Sequence, residues 1–249
     1  MLKVLIRTGI TSLALMAGPG HAAEVNVIAA NAVKEGYAEI VAAFEQSTGH
    51  KVVTTWAGTV ATEKRVRAGD VFDVVLVGSD AIDRLIDSGK LSKGSRVDFA
   101  KTVIAIAIRA GLPKPDVSTP EAIKAAVLAA KSIAYSAGPS GAYVSDLLKR
   151  WGISDQVAGK VKQPSSGAEA AQMLARGEAD LSFAQASEFR GVAGLQDLGP
   201  VPAAIQNFTI YSAAQHTASR SPDAAAALLK ALKSPDGAPA IRKMGMEPG

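Results

Sequence analysis

Short apolar or β-branched runs alternate with helical patterns along almost the whole chain after Glu24, and that alternation leaves few folds open. "VNVIAA" (Val25–Ala30) reads as a strand. Val33, Tyr37, Ile40, Val41 and Phe44 then share one helical face, closed by Ser47-Thr48-Gly49. "KVVTTW" (Lys51–Trp56) is a strand, Thr59–Asp70 a helix, and Asp73–Val77 a strand. "SDAIDRLIDSG" is a helix capped by Ser79 or Asp80, and Thr102–Ile108 is a strand. A second series follows. "STPEAIKAAVLAAKS" has Ser118 or Thr119 as cap, Pro120 in the first turn and Glu121 behind it. Then come strand "SIAYS", helix "GAYVSDLLKRWG", helix "GAEAAQMLARGE", strand "ADLSFAQ" and the extended "AIQNFTIYSAA". "SPDAAAALLKALKS" and "PDGAPAIRKMGM" form two closing helices. Strands joined through helices imply an α/β fold with mainly parallel sheets flanked by helices. Two series imply two lobes. The closing helices lack strand partners of their own, so they are expected to return to the first lobe: residues 24–101 with 212–249 in one lobe, and 102–211 in the other.

The first 23 residues stand outside this pattern. Lys3 and Arg7 precede the apolar "GITSLALMAG" and the small-residue "PGHAA", the form of a secretory signal peptide cleaved after Ala22 or Ala23. Its apolar run is short for a bilayer span. Removing it leaves 25 basic against 23 acidic residues, so the mature chain is nearly neutral. No basic block points to nucleic acid. There is no cysteine, hence no disulfide, thiolate metal site, thiol nucleophile or lipid attachment point. A monomer in the periplasm, without stable membrane insertion, is the expectation.

Four turns share one design. "AANAVKEG", "WAGTVATEK", "SAGPSGAY" and "QPSSGAEA" each carry small polar residues and open a helix. A helix start has unpaired N–H groups and a partial positive charge, so small residues there let an anion approach. Capping alone also explains Ser, Thr and Asn at such places. Four in two lobes point to a cleft that holds an anion. Lys64 or Arg65, in the second turn of its helix, could reach that ligand, or pair with Glu63 or Asp70. Dinucleotide, P-loop, zincin and nucleophile-elbow signatures are absent from the sequence. His50 and His216 lie apart and read as surface residues, and Tyr135, Tyr143 and Tyr211 as core. No metal and no cofactor is expected.

The stretches "FEQSTGHKV" and "ARGEADL", with "FDVVLVGSDAIDRLIDSGKL" between them, resemble the periplasmic molybdate-binding proteins of ABC importers, which are type II periplasmic binding proteins. The resemblance runs from about Val25 to Met246. It implies two α/β lobes joined by two crossover strands, an oxyanion held between them, and an ABC permease as partner. It also places ligand-binding positions at Asn31, Thr59 with Val60, Ser140 with Gly141, Gly167 and Gln185; Lys64 joins them from the residues alone. Asn31, Thr59 and Gln185 depart from the side chains the family carries there. The longer amide arms of Asn and Gln suit a larger, carboxylated anion. The run "SRVDFAKTVIAIAIRAGLPKPDVSTPEAIKAAVLAAKSIAY" is similar to an aconitate-isomerase branch of the same fold. That resemblance implies a cofactor-free isomerase with a base, Lys64 or a cleft tyrosine being the candidates.

Overall fold

A computed structural model describes residues 22–249 of the chain, so the signal-peptide reading of residues 1–21 lies outside the described residues. In chain order the elements are β1 (Glu24–Ala30), α1 (Lys34–Thr48), β2 (Lys51–Ala57), α2 (Thr59–Ala68), β3 (Val74–Gly78), α3 (Ser79–Asp87) and β4 (Val97–Arg109). The second series is α4 (Pro120–Ala129), β5 (Ile133–Tyr135), α5 (Pro139–Arg150), α6 (Ser154–Val157), β6 (Val161–Lys162), α7 (Gly167–Ala175), β7 (Leu181–Gln185), α8 (Ala186–Phe189) and β8 (Leu195–Pro200). Then follow β9 (Phe208–Gln215), α9 (Pro222–Lys233), α10 (Ala238–Lys243) and β10 (Glu247–Pro248).

The fold is a two-lobe α/β arrangement. Strand order is β2-β1-β3-β9-β4-β7-β5-β6, with β8 and β10 also paired to β4. β1 pairs in parallel with β2 and β3, and β5 in parallel with β6 and β7. The antiparallel pairs all involve β4 or β9. β4 is the element that binds the halves together. Its first residues pair with β9 from Val97 to Val103, and its last with β7 from Ile104 to Ile108.

Each half has its own core. Val27, Ile28, Leu76 and Val77 of β1 and β3 are fully buried under Tyr37, Ile40 and Phe44 of α1 and Leu228 of α9. Strands buried on both faces read as continuous apolar runs, which is why "VNVIAA" and "VVLV" were legible. Ile106, Ile133, Phe183 and Leu147 anchor the second core. Each such side chain contributes about 1.5–3 kcal/mol on burial. α9 and α10 pack on α1, as their lack of local strand partners suggested.

Several local expectations are corrected. α3 is preceded by Gly78, and neither Ser79 nor Asp80 caps it, because the helix starts at once where β3 ends. Thr119, not Ser118, caps α4, accepting from the Ala122 N–H at 3.1 Å. β4 begins five residues before the expected Thr102, and β8 was not anticipated. His216 is buried rather than on the surface; its Nδ1 accepts from the Ala218 N–H at 3.0 Å. Arg65 pairs with Asp70 at 2.7 Å, while Glu63 pairs with Arg67 and Arg84. No helix among the described residues is long and apolar enough to cross a membrane.

Candidate functional site

Parallel strands deliver the chain to helix starts at their carboxyl ends, and in an α/β sheet those ends gather on one side. The four turns meet there. Ala30, Asn31 and Ala32 after β1, Gly58 and Thr59 after β2, Gly138 to Ser140 after β5, and Ser165 to Gly167 after β6 line one narrow cleft of about 20 Å3. Glu188 and Tyr211 complete the wall. Through Thr59, Gly138 and Pro139 this space adjoins an outer mouth of about 390 Å3, which Val60, Arg84, Tyr143, Asn207 and Phe208 also border.

The two walls touch. A side chain at Gly58 would collide with the Ser165 carbonyl, and one at Gly78 would come within 2.9 Å of the Pro139 ring. The Ser187 hydroxyl donates to the Ala32 carbonyl at 2.9 Å, and Arg190 donates to the Lys243 carbonyl at 2.8 Å. At 20 Å3 the inner space has room for about one water, so a polyatomic ligand requires the walls to part.

The helix starts differ in what already satisfies them. α2 and α5 start after Gly58 and Gly138, which have no side chain to offer as a cap. Ser136 Oγ accepts from the Gly138 N–H at 3.1 Å, one step before α5. The α7 start is doubly served. Ser166 accepts from the Glu169 N–H at 3.2 Å, and Glu188 Oε1 accepts from the Ala168 N–H at 3.0 Å. Glu188 Oε2 accepts from the N–H of Gln185, the residue before α8, at 3.1 Å. Only a glycine at 167 lets that carboxylate come so close, since a Cβ there would fall on Glu188 Oε2.

Of the positions expected to bind ligand, Asn31, Thr59, Ser140 and Gly167 line the inner cleft, and Val60 lines the outer mouth. Gly141 does not face it; its backbone packs against the Ser136 carbonyl so closely that no Cβ would fit. Gln185 lies behind the wall, with Nε2 donating to Thr209 Oγ1 at 2.8 Å and Oε1 buried without a partner among the described residues. Lys64 is exposed and borders neither space. Tyr135 and Tyr143 are core or wall residues, Tyr143 donating to the Ile205 carbonyl at 2.9 Å.

Sequence reasoning missed Glu188 and underrated Tyr211. Burial pushes the Glu188 carboxyl up to about 7, only partly offset by the N–H groups of Gln185 and Ala168. The phenol of Tyr211 is held well above its ordinary value, by burial first and then by the charge of Glu188, with Gln185 beside it working the other way. No group of three His, Cys, Asp or Glu among the described residues is placed to hold a metal ion.

Comparison with known proteins fits this geometry. Residues 25–247 match a family described as bacterial extracellular solute-binding protein. An aconitate isomerase from Pseudomonas sp is 36% identical over 230 residues, covering 90% of this chain and 87% of that one. A molybdate-binding protein from Azotobacter vinelandii is 29% identical over 176 residues, covering 70% of this chain and 69% of its own length. The solved structure of a periplasmic molybdate-binding protein from Azotobacter vinelandii superposes with a TM-score of 0.76 at 20% identity, covering 89% of this chain and 98% of that one.

Proposed function

The chain belongs to the bacterial extracellular solute-binding protein family, and from that membership we propose that it captures a small anion in the cleft between its lobes for an ABC importer. The observation that carries this reading is the gathering of four helix starts on one cleft. N–H groups at the starts of α2 and α5 supply donors for an oxyanion or carboxylate, and Thr59, Ser140 and Asn31 add side-chain donors. Residues 24–101 with 212–249 form one moving body and 102–211 the other, hinged where β4 and β9 cross between them. The leader at residues 1–23 directs the chain to the periplasm, where it works as a monomer and passes its ligand to a membrane permease.

A second reading has its own support. Similarity to the aconitate isomerase is higher, and spans more of the chain, than similarity to the molybdate-binding protein. On this reading the cleft binds an unsaturated tricarboxylate and isomerises it without a cofactor.

Thermal melts of the mature chain with molybdate, tungstate, sulfate, citrate or trans-aconitate test both. A ligand at about 100 times its dissociation constant adds about 2.7 kcal/mol of stability, a readily measured shift. A shift with molybdate or tungstate alone favours the metal-oxyanion importer. A shift with trans-aconitate alone favours the tricarboxylate. No shift with any of them rejects both.

A further inference from the structure

Glu188 is out of place in a pure anion binder. A carboxylate in the cleft wall repels the very ligand that the neighbouring helix starts attract, and it occupies the start of α7 itself. It also has few donors. Two backbone N–H groups reach it, and no neighbouring cation offsets its burial among the described residues. The facing elements do not change this. β9 contributes Tyr211, whose phenol stays protonated. The charged groups on the other packed elements lie away from it: Arg109 and Asp180, paired with each other, are at the end of β4 and β7 opposite Gln185, and Glu169 of α7 is exposed and paired with Arg176.

We propose that Glu188 is the base of a proton-transfer reaction in this cleft, taking a proton from the methylene carbon of a bound unsaturated tricarboxylate and returning it to the former vinylic carbon. The proposal rests on the isomerase reading above. The methylene C–H bond breaks, and its electron pair forms a double bond to the central carbon. The old double-bond pair moves to the vinylic carbon, which takes the proton from Glu188. Glu188 ends as it began, and no oxidant, reductant or water is consumed. Charge that develops on the ligand carboxylates is met by N–H groups at the starts of α2 and α5. A carboxyl that titrates near neutrality is suited to both halves of the transfer. Lys64, a candidate base from the sequence, is exposed outside the cleft.

The test is proton NMR of trans-aconitate with the mature chain in D2O, comparing wild type with Glu188→Gln. Wild type is expected to form cis-aconitate, with deuterium entering the methylene to the extent that Glu188 trades its proton with solvent before returning it. E188Q is expected to lose both by about 10²–10⁴-fold, while still unfolding cooperatively. Turnover by E188Q within tenfold of wild type overturns the assignment and leaves the isomerase reading standing. A wild type that is stabilised by trans-aconitate yet neither exchanges nor isomerises it overturns both, and leaves an anion binder. Should E188Q not fold, the wild-type pH profile decides. A kcat/KM that falls tenfold per pH unit below about 7 supports the base, and a flat profile from about pH 5 to 8 rejects it.

Discussion

Asp73 and Glu188 are both acids packed away without a cation partner among the described residues, and their surroundings drive them in opposite directions. Asp73 stands at the start of β3, 3% exposed, and collects four donors. Its Oδ1 accepts from Ser219 Oγ at 2.7 Å and from the N–H groups of Arg220 at 2.8 Å and Ser221 at 3.0 Å, and its Oδ2 from the Asn26 N–H at 2.8 Å. Burial alone would raise it, but the bonds from Ser219, Asn26, Ser221 and Arg220 together hold it below the ordinary value. Glu188 has two donors, and burial wins. The number of donors separates a carboxylate that pins chain segments together from one that can exchange a proton.

The largest effect that would sharpen this contrast is on Asp73. Asp73→Ala removes the acceptor shared by three backbone N–H groups and a hydroxyl where the α9 segment is tied to β1, leaving the Asn26 and Arg220 N–H groups and the Ser219 hydroxyl without it. Urea unfolding should show a loss of about 3–5 kcal/mol. A loss under 1 kcal/mol would mean water replaces the carboxylate and the contrast is empty.

Next is pH. The Asp73 carboxyl is lowered, so its stabilisation is present above the unfolded value near 3.8 and fades as pH falls through the folded one. The Glu188 carboxyl is raised, so its folded form holds a proton that the unfolded chain has released. Stability should therefore fall as pH rises from about 4.5 to about 7, by about 3 kcal/mol. In melts across this range, E188Q should lack the decline and Asp73→Asn should keep it. A decline that survives in E188Q breaks the comparison.

Smaller effects test the cleft itself. Ser140→Ala removes a hydroxyl from the α5 start and should weaken the ligand identified in the melts by about 1 kcal/mol, about fivefold in Kd by calorimetry. Unchanged affinity would move the ligand away from α5. Smallest is Ser187→Ala, which deletes the hydroxyl donated to Ala32 across the cleft. It should cost about 0.5–1 kcal/mol of closure, read as a wider average shape in small-angle scattering. An unchanged profile would make that bond incidental.

Most of the strand-helix order was legible because fully buried strands announce themselves as apolar runs, as Val74–Val77 do. β8 was not, because "LQDLGP" is only half-buried and shows neither alternation nor an apolar run. The first part of β4 was hidden likewise by Asp98 and Lys101. The four turns could be found from small residues after strands, since chain direction alone sends them to one side of the sheet. The exposure of Lys64 follows from periodicity: Thr62 and Val66 are buried, and a residue midway between them on α2 faces outward. Glu188 could not be found that way. Its carboxylate serves a helix start 20 residues earlier in the chain, and nothing local marks such a pairing. The glycine that admits it, Gly167, looked like an ordinary helix opening.

The bonds from Ser187 to Ala32 and from Arg190 to Lys243 join the walls through protein groups alone. On the proposed closure their contribution is the same whatever molecule is inside, so they would set the resting balance between shapes and do nothing to choose among solutes. Stronger latches would bring the shut form into competition with every solute and lengthen each dwell. Weaker ones would leave the whole work of shutting to the solute. Two contacts between protein groups, one of them at the cleft wall beside Glu188, would on this account bias how readily the molecule fills and empties.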